Sequence, residues 1–363
     1  MSSHPTLIHI LTSNRWGGIE KYAFDICRHF KSLDWNVLVL TRDAKAVDDM
    51  FLREDIPLLH APLEGLWDIH SIRLLSRKLK ETEGEIIIHA HNFTNVFTAL
   101  AARRLARKPG VKVIMTRHKV RRAVDTWMRR RLYRNIDALI FVSRTARDRF
   151  IATWHNKELP FPASRMHVLH NSLNIPLEDP SPSNIPHPVT AMFHGPLKSG
   201  KGLETLIDAM SLLKGKRIRL RIVGSGTPDY ADKIRRHAIS RGVMELIDWH
   251  KHTDDPLNLI KESDFGVLPS IEEEAFGLAN IEYMAMGRPQ ICTSNGAQPE
   301  YITDGWEGFL VPPGNSAFLA EIIEKTAKDP ELRNRMGKRA FETFSRRLSW
   351  PHFIDRLTEI YSP

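Results

Sequence analysis

The feature that most narrows what this chain can fold into is a rhythm that runs twice. Short apolar runs alternate with helical patterns over residues 7–142, halt at a proline-rich stretch, and resume near residue 190. In the first half, 7–11, 37–41, 86–90, 111–116 and 138–142 read as strands, with a helix from about 19 to 30 entered through Gly17 and Gly18. Short, largely apolar strands separated by helix-length segments predict a parallel sheet covered on both faces. Five prolines between residues 174 and 188 can continue neither a helix nor a central strand, so a linker is expected over 177–188. Beyond it the strands are 190–193, 219–223, 245–249 and 265–268, with helices at 203–213, 230–241 and from about Leu278. The prediction is an α/β protein of two Rossmann-like, doubly wound lobes facing a central cleft. An N-terminal domain spans 1–176 and a C-terminal domain 189–342. A tail, 343–363, carries Trp350 and Pro351 ahead of an amphipathic helix expected to cross back to the first lobe. Ligands of such sheets bind beyond the carboxyl ends of the strands, so loops of both lobes are expected at the cleft.

Charge and cysteine content remove several classes of function. Cys27 and Cys292 stand alone in opposite halves, with neither metal spacing nor a disulfide framework, as in a reducing compartment. No apolar run is long enough to span a membrane. The first residues, Met1-Ser2-Ser3-His4, lack the basic and apolar segments of a signal peptide. A cytoplasmic protein, peripheral on the inner face of the membrane, is expected. Net charge is +9. The excess concentrates in Arg117, Lys119, Arg121, Arg122, Arg129, Arg130, Arg131 and Arg134, against the single acid Asp125. No nucleic-acid motif or aromatic platform accompanies these residues. A solvated helical face, an anionic membrane surface or an anionic acceptor remain as readings.

Three clusters carry chemistry. The segment Glu274-Ala275-Phe276-Gly277-Leu278 precedes a helix whose first N–H groups point outward with the positive end of its dipole, a site for a pyrophosphate. Glu282 follows on that helix, and the two carboxylates suit a ribose diol and a sugar. The turn 193–202 brings Gly195, Lys198, Lys201 and Gly202 to the entry of the next helix, where backbone donors and ammonium groups can hold a diphosphate. In the first half His89 and His91 lie at i and i+2 on a strand end, and His118 follows the next strand. These histidines could position a sugar or assist proton transfer. Their spacing also admits a zinc ion, although no metal is the favoured reading. No D-x-D pair is present to clamp a divalent cation on a diphosphate.

The ordered set of motifs resembles the family 4 glycosyltransferases, retaining enzymes of GT-B architecture. It runs from Gly17-Gly18-Ile19-Glu20 through His89-Ala90-His91-Asn92, Thr116-Arg117-His118 and His170-Asn171-Ser172-Leu173-Asn174. It continues through Gly195…Lys201-Gly202, Val223-Gly224-Ser225-Gly226 and the Glu274…Glu282 pair, to Gly296…Glu300 and Gly308…Gly314, nearly the whole chain. The resemblance implies a hexosyltransferase that takes a UDP- or GDP-type nucleotide sugar. Its acceptor would be a glycan or lipid-linked molecule in surface polysaccharide, lipopolysaccharide or glycolipid synthesis. It further implies no metal, Glu282 on the ribose, Glu274 on the transferred sugar, and the amides of Phe276, Gly277 and Leu278 with Lys201 on the diphosphate. Gly17, Gly18, Gly195, Lys198 and Gly224 would complete the donor side. His118 would lie beside the donor sugar, with His118, Glu274 and Lys201 as the catalytic set. His89, His91, Arg121 and Arg122 are the acceptor-side candidates. The chain departs from the family in three places. Pro196 stands where an arginine is usual, Asn171-Ser172-Leu173-Asn174 replaces Asn-Gly-x-Asp, and Lys119 replaces an aspartate. The alternative is a non-catalytic member that binds a nucleotide sugar or supports a partner enzyme.

Overall fold

A computed structural model describes residues 4–154, 158–175, 177, 188–253 and 255–362. Two compact units emerge, residues 1–169 with 354–363, and residues 170–353. The first therefore closes seven residues before the boundary expected at 176, and His170–Asn174 count with the second. The expected linker lies outside the described residues except for its ends, Leu177 and Pro188. Of the expected tail only 354–363 counts with the first unit, because Phe344 and Leu348 are buried with the second.

The first unit is built on seven strands: β1 (Thr6–Ile10), β2 (Asn36–Thr41), β3 (Leu58–His60), β4 (Ile86–Ala90), β5 (Val111–Arg117), β6 (Ala138–Phe141) and β7 (Met166–Val168). All pair in parallel, in the order β3-β2-β1-β4-β5-β6-β7. Burial on both faces explains why β1 and β4 read as largely apolar runs, every residue of both being buried. β3 and β7 are three-residue edge strands, half-buried, and too short to show a pattern in the sequence. The last turn of the chain belongs to this core. Tyr361 is buried against Phe30, and its carbonyl accepts from Lys112 Nζ at 3.2 Å.

The second unit repeats the plan with β8 (Val189–His194), β9 (Ile218–Val223), β10 (Ile247–His250), β11 (Phe265–Leu268), β12 (Gln290–Thr293) and β13 (Gly308–Val311), again parallel, in the order β10-β9-β8-β11-β12-β13. Its core joins Ile222 and Val267 to Leu206, Met210 and Ile323 from the covering helices.

Helix entry divides into two kinds. Asn92, Thr126, Ser143 and Asn315 cap their helices, each side chain accepting from the backbone N–H three residues on. The helices Gly18–Ser32, Leu203–Leu212 and Leu278–Ala285 start behind Gly17, Gly202 and Gly277, with no side-chain cap.

Candidate active site

In the second unit β8 and β11 are neighbours whose chains leave in opposite directions, β8 toward β9 and β11 toward β12. That divergence opens a crevice at their carboxyl ends. The loops that fill it are locked together. Ile271 N and Glu272 N both donate to Gly200 O, at 2.8 and 3.1 Å. Gly202 has φ +73°, and a Cβ there would lie 1.8 Å from Pro269 O, so only glycine lets the loops approach. The approach sets Lys201 against the β11 loop, where its Nζ donates to Glu274 Oε1. Ser270 Oγ donates to the same oxygen at 2.5 Å.

Three residues on, Gly277 at φ +85° turns the chain into the helix Leu278–Ala285. Tyr301 pins this turn, its hydroxyl donating to Phe276 O and accepting from Asn280 Nδ2 at 3.0 Å. The Phe276 ring is buried beneath, 5.1 Å from Tyr301 and 5.5 Å from His170, so only its backbone is available to a ligand. Glu282, on the same helix, accepts from His194 Nε2 at the end of β8. Burial, with His252 adding repulsion, pushes the His194 imidazole down to about 4, so it donates as a neutral ring. Glu274, Glu282, Lys201 and the uncapped amides therefore share one crevice. Gly195 and Gly224 sit beside it, Gly195 N on Val223 O at 3.0 Å and Gly224 N on His250 O at 3.2 Å. Lys198 and Pro196 are exposed on its rim.

In the first unit, parallel pairing of β1 with β4 sets His9 opposite His89. His89 is wholly buried, its Nδ1 2.6 Å from Tyr361 OH and its Nε2 2.7 Å from Thr116 Oγ1. That corrects its placement on the acceptor side, because a ring with both nitrogens engaged in the sheet interior offers nothing to a ligand. His91 is also buried, between His9 and His118. Half-buried His118 ends the row. Burial and then the charge of Lys119 bring its imidazole down to about 3. Gly17 and Gly18 open the helix after β1, and a Cβ on Gly17 would meet the buried Glu20 carboxylate at 3.1 Å. Among the described residues the imidazoles close enough to share an ion are His9, His89 and His91, ligand atoms within 4.8 Å, rather than the His89, His91 and His118 that the spacing admitted.

The basic segment is less uniform than its composition suggests. Arg117 turns inward over the Phe150 ring, 5.0 Å from its centroid, and bonds Arg121 O at 2.8 Å. Arg130 forks onto Asp125 at 2.6 and 3.0 Å, and Arg129 lies 4.3 Å over Phe93. Lys119, Arg121, Arg122, Arg131 and Arg134 are exposed, beside Trp127 at 77% and Val124 at 54% exposure.

Sequence reasoning missed His9, His194 and Ser270, and with them a cavity of about 650 Å³ at the ends of β2 and β3, lined by Asn14, Arg42, Asp43, His60 and Glu64. His194 was legible as the residue before Gly195, but nothing local pairs it with Glu282, 88 positions away.

The fold and the crevice define a two-unit sugar-transfer enzyme, and comparison with known proteins agrees. A family model for glycosyltransferase family 4 matches residues 16–175, and one for glycosyl transferases group 1 matches residues 178–343. EpsD of Bacillus subtilis (strain 168) is 27% identical over 355 residues, covering 92% of this chain and 90% of that one. The alpha-D-kanosaminyltransferase of Streptomyces kanamyceticus is 26% identical over 329 residues, with 82% and 83% covered. Among solved structures, Anabaena Alr3699/HepE in complex with UDP superposes with a TM-score of 0.84 at 19% identity, covering 99% of each chain. The chain belongs to glycosyltransferase family 4 and has the GT-B fold.

Proposed function

We propose that the protein is a retaining, metal-independent hexosyltransferase. It takes the sugar from a nucleotide diphosphate and delivers it to a glycan or lipid-linked acceptor of surface polysaccharide or glycolipid synthesis. One arrangement carries this: Glu274 and Glu282 on either side of an uncapped helix start, with Lys201 bonded to Glu274, all at the switch point of one sheet. The Glu282 carboxylate suits the vicinal hydroxyls of the ribose, since each oxygen can accept from a different OH. Glu274 would take hydroxyls of the transferred sugar. The diphosphate would lie between Lys201 and the amides from Phe276 to Leu278, with Lys198 on the rim in place of the arginine that Pro196 displaces. Ammonium and helix dipole then supply the positive charge that a divalent cation gives in other transferases.

Catalysis here is positioning plus stabilisation of the charge that develops on the departing diphosphate. As the bond from the anomeric carbon to the diphosphate oxygen breaks, the acceptor hydroxyl oxygen bonds that carbon on the same face. Its proton passes to the leaving diphosphate, so no enzymic base is required. His118 would lie beside the donor sugar. The cavity near Asp43, His60 and Glu64 offers carboxylates and an arginine to acceptor hydroxyls.

The exposed Lys119, Arg121, Arg122, Arg131 and Arg134 with Trp127 support docking on the anionic inner face of a membrane. No helix among the described residues is long and apolar enough to cross a membrane. The Anabaena neighbour was solved with UDP, so uridine nucleotides come first in the test. Purified protein is mixed with a panel of UDP-, GDP- and ADP-sugars, and nucleotide release is followed with and without acceptor lipid extract and chelator. Chelator-insensitive, acceptor-dependent release from one donor is expected. Tight donor binding with no release under any condition would instead favour a non-catalytic, sugar-nucleotide-binding role.

A further inference from the structure

Three imidazoles form a row through the first unit. His9 Nδ1 lies 2.9 Å from His91 Nε2, and His91 Nδ1 lies 3.1 Å from His118 Nε2. The His9 and His91 ring planes are 12° apart, with centroids 5.1 Å apart. Tyr22 closes the row from the side, edge-on to His91 and His118 at 5.8 and 5.0 Å. Burial holds His9 and His91 well below the usual imidazole range, so both are neutral.

A neutral imidazole owns one N–H and one lone pair. Three of them joined by two hydrogen bonds can therefore point only one way or the other. The far end of the row decides which. His9 Nε2 is buried and has no hydrogen-bond partner among the described residues. If the row pointed toward His9, that nitrogen would carry a buried N–H with nothing to donate to, the costlier of the two orphans. Pointing the other way, it keeps only a lone pair. His9 Nδ1–H then donates to His91 Nε2, His91 Nδ1–H donates to His118 Nε2, and His118 must carry its proton on Nδ1.

We infer that His9 and His91 are positioning residues that fix His118 as the Nδ1–H tautomer, so that His118 meets the substrate as a hydrogen-bond donor and not as a base. Its Nδ1 makes no hydrogen bond to any described residue, which leaves that N–H for a ligand. The consequence for the reaction rests on the reading, made above, that His118 lies beside the donor sugar. A donor at this position suits same-face attack, in which the diphosphate accepts the acceptor's proton.

The test separates the tautomer from the reaction. In ligand-free protein carrying ring-15N histidine, long-range 1H–15N correlations report each ring's tautomer, the His118 signals being assigned by their loss in His118→Asn. A pyrrole-type Nδ1 and a pyridine-type Nε2 are expected. His9→Phe and His91→Phe should release His118 toward the intrinsically favoured Nε2–H form. His9→Asn, whose amide nitrogen replaces Nδ1 as donor, should restore the wild-type pattern and guards against misfolding of the aromatic variants. With a nucleotide sugar that the wild type turns over, His9→Phe should lower kcat about tenfold at unchanged KM, the scale of one hydrogen bond made in the transition state, and His9→Asn should recover it. An Nε2–H His118 in the wild type, or an Nδ1–H pattern that survives both phenylalanine variants, overturns the inference. Should the protein bind no nucleotide at all, the sugar-transfer reading fails while the ring spectra still decide the row's direction.

Discussion

Removing the Glu282 carboxylate tests the donor site and its scaffold at once. The side chain is 17% exposed and bonded to a His194 that is 11% exposed. Glu282→Ala therefore deletes both the proposed ligand of the ribose hydroxyls and the acceptor of a nearly buried N–H. Hydrogen bonds to a charged group contribute about 1.5–3 kcal/mol, so nucleotide affinity should fall about 10- to 150-fold. Stranding the His194 N–H costs about 1–3 kcal/mol of stability, a Tm lower by roughly 2–10 °C for a unit of this size. Glu282→Gln separates the two effects. Its amide oxygen can still accept from His194, which restores the Tm, but it lacks the charge, so affinity stays low. The assay is calorimetric titration of UDP and GDP, with thermal melts of the same samples. Should Glu282→Ala lower the Tm while every nucleotide binds within twofold of wild type, the carboxylate serves only His194 and the proposed donor geometry is refuted.

Four further outcomes are expected. Lys201→Ala removes the ammonium from the proposed diphosphate seat and should cut kcat about 100-fold; unaltered turnover would dismiss its role. Arg333→Met leaves Asp264, 2% exposed, without the guanidinium 3.5 Å away and removes the donor to the Thr326 and Ala327 carbonyls. Urea titration should show a loss of about 3–5 kcal/mol. Acid should destabilise the first unit steeply. His9, His89 and His91 are held well below 6.5 by burial first and by one another second. Below pH ~6.5 their unfolded rings bind protons that the folded rings refuse, so stability falls with pH by about 1.4 kcal/mol per unit for each ring. A urea midpoint flat between pH 6.5 and 5 would contradict this. Finally, Arg121→Ala with Arg122→Ala should weaken sedimentation with anionic vesicles by about 2 kcal/mol at low salt, and salt-insensitive binding would rule out an electrostatic dock.

What the sequence determined by itself was whatever local pattern encodes. Apolar runs at strand length with helices between them dictated two parallel sheets, because a strand covered on both faces is apolar along most of its length. Glycine before Leu278 and before Leu203 marked helix starts without caps, and the Glu274 to Glu282 spacing set one carboxylate in the loop and the other on the helix. The strands β3, β7, β12 and β13 escaped, β3 and β7 having only three residues each in which to show a period. Only the tertiary structure could decide which side chains meet across the sheets. His9 reads as one polar residue in an apolar strand until the register of β1 on β4 sets it against His89. Likewise, β8 beside β11 delivers His194 to Glu282 and Lys201 to Glu274 across 88 and 73 positions of chain. Composition shows eight basic residues between 117 and 134, and packing alone sorts Arg117 into the interior and Arg121 onto the surface. The reason is physical. Periodicity is a property of neighbours along the chain, whereas charge pairing and tautomer depend on neighbours in space, which strand order selects and no local segment records.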